Sequence, residues 1–244
     1  MNRTVLVTGG TGGLGAAVTG TLLAAGWRVV VPWRTRAGLD RLPTMRPAGL
    51  GASDAAPRPG PVPDALVPVE ADVFDPDSVR RCVQVATGDA DRPLRAVVNL
   101  VGGFAMGGRV HETPVEDFEA ALRSNLRPTY LVCQAALPAL VAAGGGAVVC
   151  VSSRATGAAF PGAAGYLTAK TAVLGLVAAL DAEYWGDGIR VNAILPGVID
   201  TPGNRAGQPE ADRRGWTDPV TIADTVAFLC GDGSAAVHGA QIKV

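Results

Sequence analysis

Val5-Leu-Val-Thr-Gly-Gly-Thr-Gly-Gly-Leu-Gly15 is the stretch on which the fold turns. It runs from a short valine-rich strand straight into a helix-forming segment, Leu14–Ala25. Gly9, Gly13 and Gly15 let the backbone turn sharply between the two and come close to a pyrophosphate. The helix start beyond them offers unpaired N–H groups and the positive end of a helix dipole. Glycine-rich turns say little by themselves in a chain with 32 glycines. Placed between a first strand and a first helix, this one predicts dinucleotide binding.

The same alternation continues to the C-terminus. Thr4–Thr8, Arg28–Trp33, Ala65–Glu70, Ala96–Leu100, Ala147–Val151, Ile189–Leu195 and Gly239–Val244 are short, rich in valine or isoleucine, and hardly alternate between apolar and polar. Strands covered on both faces read that way. Between them Asp77–Thr87, Val115–Ala143, Ala164–Trp185 and Pro219–Cys230 read as helices. Asp75-Pro76 and Thr113-Pro114 are expected helix starts. The succession predicts an α/β fold, a doubly wound, mostly parallel seven-stranded sheet with right-handed crossovers. The six prolines and three glycines of 42–64 have no periodicity and predict a surface excursion. No linker divides the 244 residues, so one domain over 1–244 is expected, with a core that buries roughly 70–75% of the unfolded surface.

Composition excludes several classes. A net charge of −1 and a pI near 6.1 give nucleic acid or an anionic membrane nothing to hold. Cys82, Cys133, Cys150 and Cys230 form no CxxC pair, and Cys133 and Cys150 sit in apolar runs that predict buried thiols; the pattern, with no leader peptide, predicts a reducing cytoplasm. Two isolated histidines, His111 and His238, predict no metal site. Mean hydropathy is +0.25, and Leu131–Val151 is uncharged over a bilayer's length. Pro138 and Gly144-Gly145-Gly146 interrupt it, so a helix, a glycine turn and a strand are expected there instead.

The end of the second strand selects the nucleotide. A carboxylate there would hold the ribose 2′-OH of NAD, whereas an arginine accommodates the 2′-phosphate of NADP. The chain reads Val29-Val-Val-Pro-Trp-Arg-Thr-Arg36, which has no carboxylate and presents Arg34 and Arg36. NADP is the expected cofactor, ahead of NAD.

Of the 21 basic residues only Lys170 and Lys243 are lysine. Lys170 stands four residues after Tyr166 in Gly165-Tyr-Leu-Thr-Ala-Lys170, on the same face of a helix. A phenol titrates near 10, so acid–base work close to neutrality needs a neighbouring cation. A compact ammonium can supply that charge and also donate to a ribose, which a broad guanidinium fork does less well. Ser153 follows the strand Val148–Val151, where its hydroxyl would emerge at the carboxyl end of the sheet and could donate to a carbonyl oxygen.

Together these residues resemble the short-chain dehydrogenases/reductases, in their shorter single-domain branch. The resemblance rests on Thr8-Gly9-x-x-x-Gly13-x-Gly15, Asp72-Val73, Asn99, Asn125, Ser153, Tyr166-x-x-x-Lys170, Arg190-Val-Asn192, Pro196-Gly197 and Thr201, and it covers nearly the whole chain. It implies a Rossmann-type sheet of order 3-2-1-4-5-6-7 and a catalytic tetrad. Tyr166 would be the general acid/base, Lys170 would lower its pKa and hold the nicotinamide ribose, Ser153 would orient the substrate oxygen, and Asn125 would support a water-linked proton path. Cofactor binding would fall to Thr8, Gly9, Gly10, Thr11, Gly13, Leu14 and Gly15. Asp72 and Val73 would join at the adenine, and Asn99, Val101 and Gly102 at the fourth strand. Pro196, Gly197, Ile199 and Thr201 would complete the site near the nicotinamide and phosphates.

Three departures stand out. Asn99-Leu-Val-Gly-Gly-Phe104 replaces the usual Asn-Asn-Ala-Gly and resembles the dihydropteridine reductase branch, against which Ser153 argues. Gly12 also satisfies the glycine spacing of the longer epimerase-like branch, whose extra C-terminal region is missing. The substrate-lid segment, 197–218, is short. The expected function is NADP-dependent hydride transfer to a small-molecule carbonyl, or from an alcohol. The alternatives are a non-catalytic NADP-binding sensor or scaffold, or a lyase- or isomerase-type relative. Phe104, Met106, Phe160 and Trp216 are candidates for an apolar pocket, and Arg154 and Arg109 for an anionic substrate. The apolar breadth of Val115–Ala143 and Ala164–Trp185 predicts a homotetramer or homodimer; in the family the corresponding helices form the dimer interface.

Overall fold

The computed structural model describes residues 2–40, 42 and 64–244. β1 (Thr4–Thr8), β2 (Arg28–Trp33), β3 (Leu66–Glu70), β4 (Leu94–Asn99), β5 (Gly146–Val151), β6 (Ile189–Leu195) and β7 (Gln241–Lys243) make one sheet. Its order is β3-β2-β1-β4-β5-β6-β7 and every pair is parallel. The direction of winding reverses between β1 and β4, where a ligand crevice forms beyond the strands' carboxyl ends. The excursion expected over 42–64 lies outside the described residues except for its two ends.

The helices are α1 (Gly13–Ala24), α2 (Arg36–Leu39), α3 (Pro76–Thr87), α4 (Val115–Asn125), α5 (Arg127–Ala142), α6 (Ala164–Tyr184), α7 (Pro202–Gly207) and α8 (Pro219–Cys230). Successive strand residues feed two different cores. Val5, Val7, Val29 and Val149 pack with α1 and α8, whereas Leu6, Val30, Val148 and Val191 pack with α3, α5 and α6. Over β1, β2, β4, β5 and β6 both faces are dry, which is why those strand sequences run apolar without alternation. Each fully buried valine or leucine contributes about 1.5–3 kcal/mol to that arrangement.

Local chemistry sets the boundaries. Asp75 caps α3 by accepting from the Ser78 N–H at 2.8 Å, with Pro76 at the first helical position. Pro114 is itself the residue before α4, one position later than the expected start. β4 begins two residues before the expected Ala96, because Leu94 pairs with Thr4 ahead of a bulge. The run 131–151 resolves into the end of α5, a turn in which Gly144 and Gly145 take positive φ, and β5; Pro138 lies inside α5. Among the described residues α6, with its short extension to Asp187, is long and apolar enough to cross a bilayer. Its Ala169, Val173 and Val177 are buried.

The single helix expected over Val115–Ala143 is instead two. The chain breaks at Leu126, with Asn125 ending α4 and Arg127 opening α5. Pro128 supplies the reason: it has no N–H to give the Ser124 carbonyl, so the i→i−4 ladder loses a rung there. The helices α2 and α7, of four and six residues, are too short to show periodicity. Each is started by a threonine side chain, Thr35 accepting from Gly38 N and Thr201 from Asn204 N, both at 3.2 Å.

Candidate active site

β1 ends at Thr8, and Gly9 leaves it with φ of +73°. A Cβ at Gly9 would stand 3.1 Å from backbone atoms of Leu100 and Val101, so a side chain there would push the loop off the end of β4. The Gly12 N–H closes the turn on the Gly9 carbonyl at 2.9 Å, and Gly15 packs directly over the same carbonyl. Gly12 gives α1 no capping side chain, and its first turn carries no acid. A 12-residue helix thus starts with amides free of any side-chain cap and with its positive dipole end uncompensated, which suits a pyrophosphate.

The surroundings of this loop are equally specific. Thr8 Oγ1 lies 3.4 Å from Asn99 Oδ1 and 3.5 Å from the Val98 carbonyl. Gly10 faces Val31 and Leu14 is buried in the core, so what these two offer the crevice is backbone. Thr11 stands beside Gly38 of α2, and Gly13 against Thr201, the cap of α7. The β2–β3 end of the crevice holds Arg34, exposed, its guanidinium 6.0 Å from the Phe74 ring. Arg36 pairs with Asp40 at 3.5 Å on the surface. Asp72 accepts from the Phe74 N–H at 3.0 Å, and Val73 is buried next to it.

Tyr166 and Lys170 project from the first two turns of α6. Lys170 is only 4% exposed. Its ammonium donates to the Val151 carbonyl at 3.3 Å and sits 6.0 Å from the centre of the Tyr166 ring. Burial lowers its pKa from 10.5 to about 8, against a smaller upward pull from Cys150. Asn125, buried at the end of α4, accepts from the Gly103 N–H at 3.0 Å and donates to the Ala121 carbonyl at 3.1 Å. The break at Leu126 therefore puts the last side chain of α4 against the loop that follows β4. A Cβ at Gly102 would come within 2.7 Å of Asn125 Oδ1 and 2.8 Å of Lys170 Nζ. Gly102, Asn125 and Lys170, far apart in sequence, thus meet at one point, with the Tyr166 ring beside Lys170.

Ser153 is buried just past β5, and its Oγ accepts from the Ala155 N–H at 3.2 Å. That bond uses a lone pair and leaves the hydroxyl hydrogen to donate. Ser152, its neighbour, donates to the Lys170 carbonyl at 2.8 Å and ties the strand end to α6. Arg154 donates from its main chain to the Pro196 carbonyl at 2.9 Å and from its guanidinium to Thr217 Oγ1 at 3.1 Å, packing over Gly197. It thereby ties the Ser153 turn to both ends of 197–218. Those ends also pair with each other, through Ile199 and Thr217.

Two features escaped sequence reading. Asn99 donates to Cys133 Sγ at 3.4 Å and approaches Cys150 Sγ at 3.8 Å, so two buried thiols underlie Lys170. The hydrogen bond to Cys150, together with burial, holds the Cys133 thiol well above its ordinary pKa. Their even burial in apolar runs marks them only as core. The second is the ring contact of Phe104, which the sequence offered only as a pocket candidate: its ring meets Tyr166 edge-on with centroids 5.0 Å apart and tilts against Phe160 at 6.3 Å. Trp216, by contrast, stands in the 197–218 segment beside Arg213.

A family model described as short chain dehydrogenase matches residues 3–212. The 2-(R)-hydroxypropyl-CoM dehydrogenase of Xanthobacter autotrophicus is 34% identical, over 99% of this chain and 96% of its own. A (3R)-3-hydroxyacyl-CoA dehydrogenase of Mus musculus is 32% identical, over 98% and 93%. Among solved structures, a short-chain type dehydrogenase/reductase from Mycobacterium ulcerans superposes with a TM-score of 0.84 at 26% identity, over 100% of this chain and 88% of that one.

Proposed function

The chain belongs to the short-chain dehydrogenase/reductase family, nicotinamide-dependent oxidoreductases of small molecules, and on that premise we propose that it is an NADP-dependent carbonyl reductase or alcohol dehydrogenase. The observation that carries the reading is the convergence of Asn125 Oδ1 and Lys170 Nζ on Gly102, beside Tyr166. The nicotinamide cofactor, when bound, supplies or accepts the hydride. Tyr166 donates the matching proton from its phenol to the carbonyl oxygen, or takes it back from the alcohol in the reverse direction. Ser153 donates a hydrogen bond to the same oxygen as charge builds there. Lys170 holds a ribose and stabilises the phenolate by its charge. Asn125 anchors the path by which Tyr166 is reprotonated.

The preference for NADP is read from Arg34, exposed beyond β2 where a carboxylate would otherwise hold a ribose hydroxyl. Gly9, Gly13, Gly15 and the open start of α1 hold the pyrophosphate. Asp72 and Val73 take the adenine end, and Pro196, Gly197, Ile199 and Thr201 the nicotinamide end. The chain works as one domain whose lid is 197–218. Its four free, buried cysteines suit the reducing cytoplasm. The exposed groove between α4, α5 and α6, with Leu126, Tyr130 and Leu176 along it, is the face on which copies pair into a dimer or tetramer. The test is loss of NADPH absorbance against a panel of ketones and aldehydes. Turnover supports the proposal, and tight NADPH binding without turnover of any carbonyl would leave a cofactor-binding protein instead.

A further inference from the structure

The loop after β4 and the outer face of α4 enclose a cavity of about 750 Å³ that opens beside Tyr166. Phe104, Met106, Val110, Val115, Phe118 and the Tyr166 ring line it. Four of these apolar side chains are unusually exposed for their size: Phe104 at 58%, Met106 at 60%, Val110 at 76% and Val115 at 61%. A soluble surface seldom leaves such a cluster open without an occupant. Among the described residues Asp117 is the one charged residue on its walls, and no lysine, arginine or histidine lines it. The guanidinium closest in sequence to the acid–base group, that of Arg154, is already committed to Thr217 and Gly197.

The cavity is also held in shape. The Gly107 N–H donates to the Gly162 carbonyl at 2.8 Å, joining the loop after β4 to the loop before α6. A Cβ at Gly162 would strike the Gly107 carbonyl, 2.6 Å away, so the two loops touch backbone to backbone. Phe104 is fixed between the Tyr166 and Phe160 rings. An apolar group entering here would lie along Phe104 while the atom attached to it reaches the Tyr166 hydroxyl.

We propose that this cavity binds the larger, apolar substituent of an uncharged ketone or secondary alcohol, an aryl-alkyl or branched alkyl arm, and that Phe104 determines specificity for it. The proposal rests on the oxidoreductase reading and adds the substrate class to it. In the reduction a hydride adds to the carbonyl carbon and the Tyr166 proton to the oxygen, so the arm takes no part in bond making and serves only to hold the carbonyl in place. An apolar wall repays an apolar arm by about fourfold in affinity for every methylene buried. It repays a carboxylate by nothing, and Asp117 repels it.

The experiment compares benzylacetone, acetone, hydroxyacetone and levulinate as substrates, and reads benzylacetone binding separately by saturation-transfer NMR on the cofactor-loaded protein. Benzylacetone is expected to exceed acetone by about 100-fold in kcat/KM, mostly through KM, and levulinate by at least as much. Its phenyl protons should receive saturation from the protein. Phe104→Ala should cut the benzylacetone-to-acetone ratio about tenfold, a ratio from which any general loss of activity cancels. Asp117→Lys, on the exposed rim, should raise levulinate relative to benzylacetone. Equal or better use of levulinate or hydroxyacetone by the native enzyme would overturn the substrate class and leave the oxidoreductase reading standing. Absence of both turnover and phenyl saturation would overturn the two together. Phenyl saturation without turnover would support the cavity's occupant and overturn the chemistry alone.

Discussion

Replacing Lys170 with methionine should make the cofactor-free protein more stable while removing its activity. The ammonium is 4% exposed and has one hydrogen-bond acceptor, the Val151 carbonyl. Burial moves its titration from 10.5 to about 8. At about 1.4 kcal/mol for each pH unit, holding the charged form there costs about 3 kcal/mol at pH 7. Lys170→Met removes that cost and forfeits a hydrogen bond of about 1 kcal/mol, for a net gain of about 2 kcal/mol. In a protein of this length that is about 4–8 °C in Tm. The sign of the pH dependence follows from a folded pKa below the unfolded one. Below pH 8 both states carry the proton and the cost is felt in full. Between 8 and 10.5 the folded protein releases the proton while the unfolded chain keeps it, so native stability climbs with pH and the variant's advantage disappears. Other titrating groups are shared by both proteins and cancel in the difference. Urea denaturation of the two at pH 7, 9 and 10.5 measures it. A variant less stable than the native protein at pH 7, by a margin that does not change with pH, would refute the reasoning.

Tyr166→Phe should lower turnover by about 10² to 10⁴ with NADPH affinity nearly unchanged, as pre-steady-state absorbance and fluorescence titration would show. Arg34→Asp should reverse the preference for NADPH over NADH, and equal affinities in the native protein would remove the basis of the NADP assignment. Light scattering at micromolar concentration should give a dimer or tetramer, and Tyr130→Glu, in the half-exposed groove between α4, α5 and α6, should shift it toward the monomer. A native monomer would contradict the role given to that groove.

What could be read from the sequence is what regular geometry carries. The five inner strands, β1, β2, β4, β5 and β6, were legible because burial on both faces makes them apolar, and the glycine loop because it sits between the first strand and first helix. Tyr166 and Lys170 were legible as a pair because four residues is one turn of α6. The break at Leu126 went unread although Pro128 falls in the middle of the expected helix Val115–Ala143, where a proline argues for an interruption; that it opens a second helix shows only in the structure. Asn99, Cys133 and Cys150 meet across 34 and 51 residues, a contact no local pattern can announce. The cavity is built by the aperiodic loop after β4, so its residues could be suspected one by one without being assembled. Phe104 and Met106 do line it, with Phe160 against the Phe104 ring, and Trp216 does not.

The break at Leu126 also divides the labour of evolution. Of the eleven residues of α4 only Asn125 is buried, whereas α5 buries seven, among them Val132, Leu137 and Leu140. A large-to-small change at Leu140 should cost about 2–5 kcal/mol, most of the margin a domain of this kind possesses. Changes at 115, 118 or 124 touch the cavity wall and leave the core intact. One helix can therefore drift, and with it the molecules the protein accepts, while the next keeps the sheet covered. A mutational library confined to 115–124 should yield mostly folded proteins of altered taste, and one confined to 129–140 mostly unfolded ones.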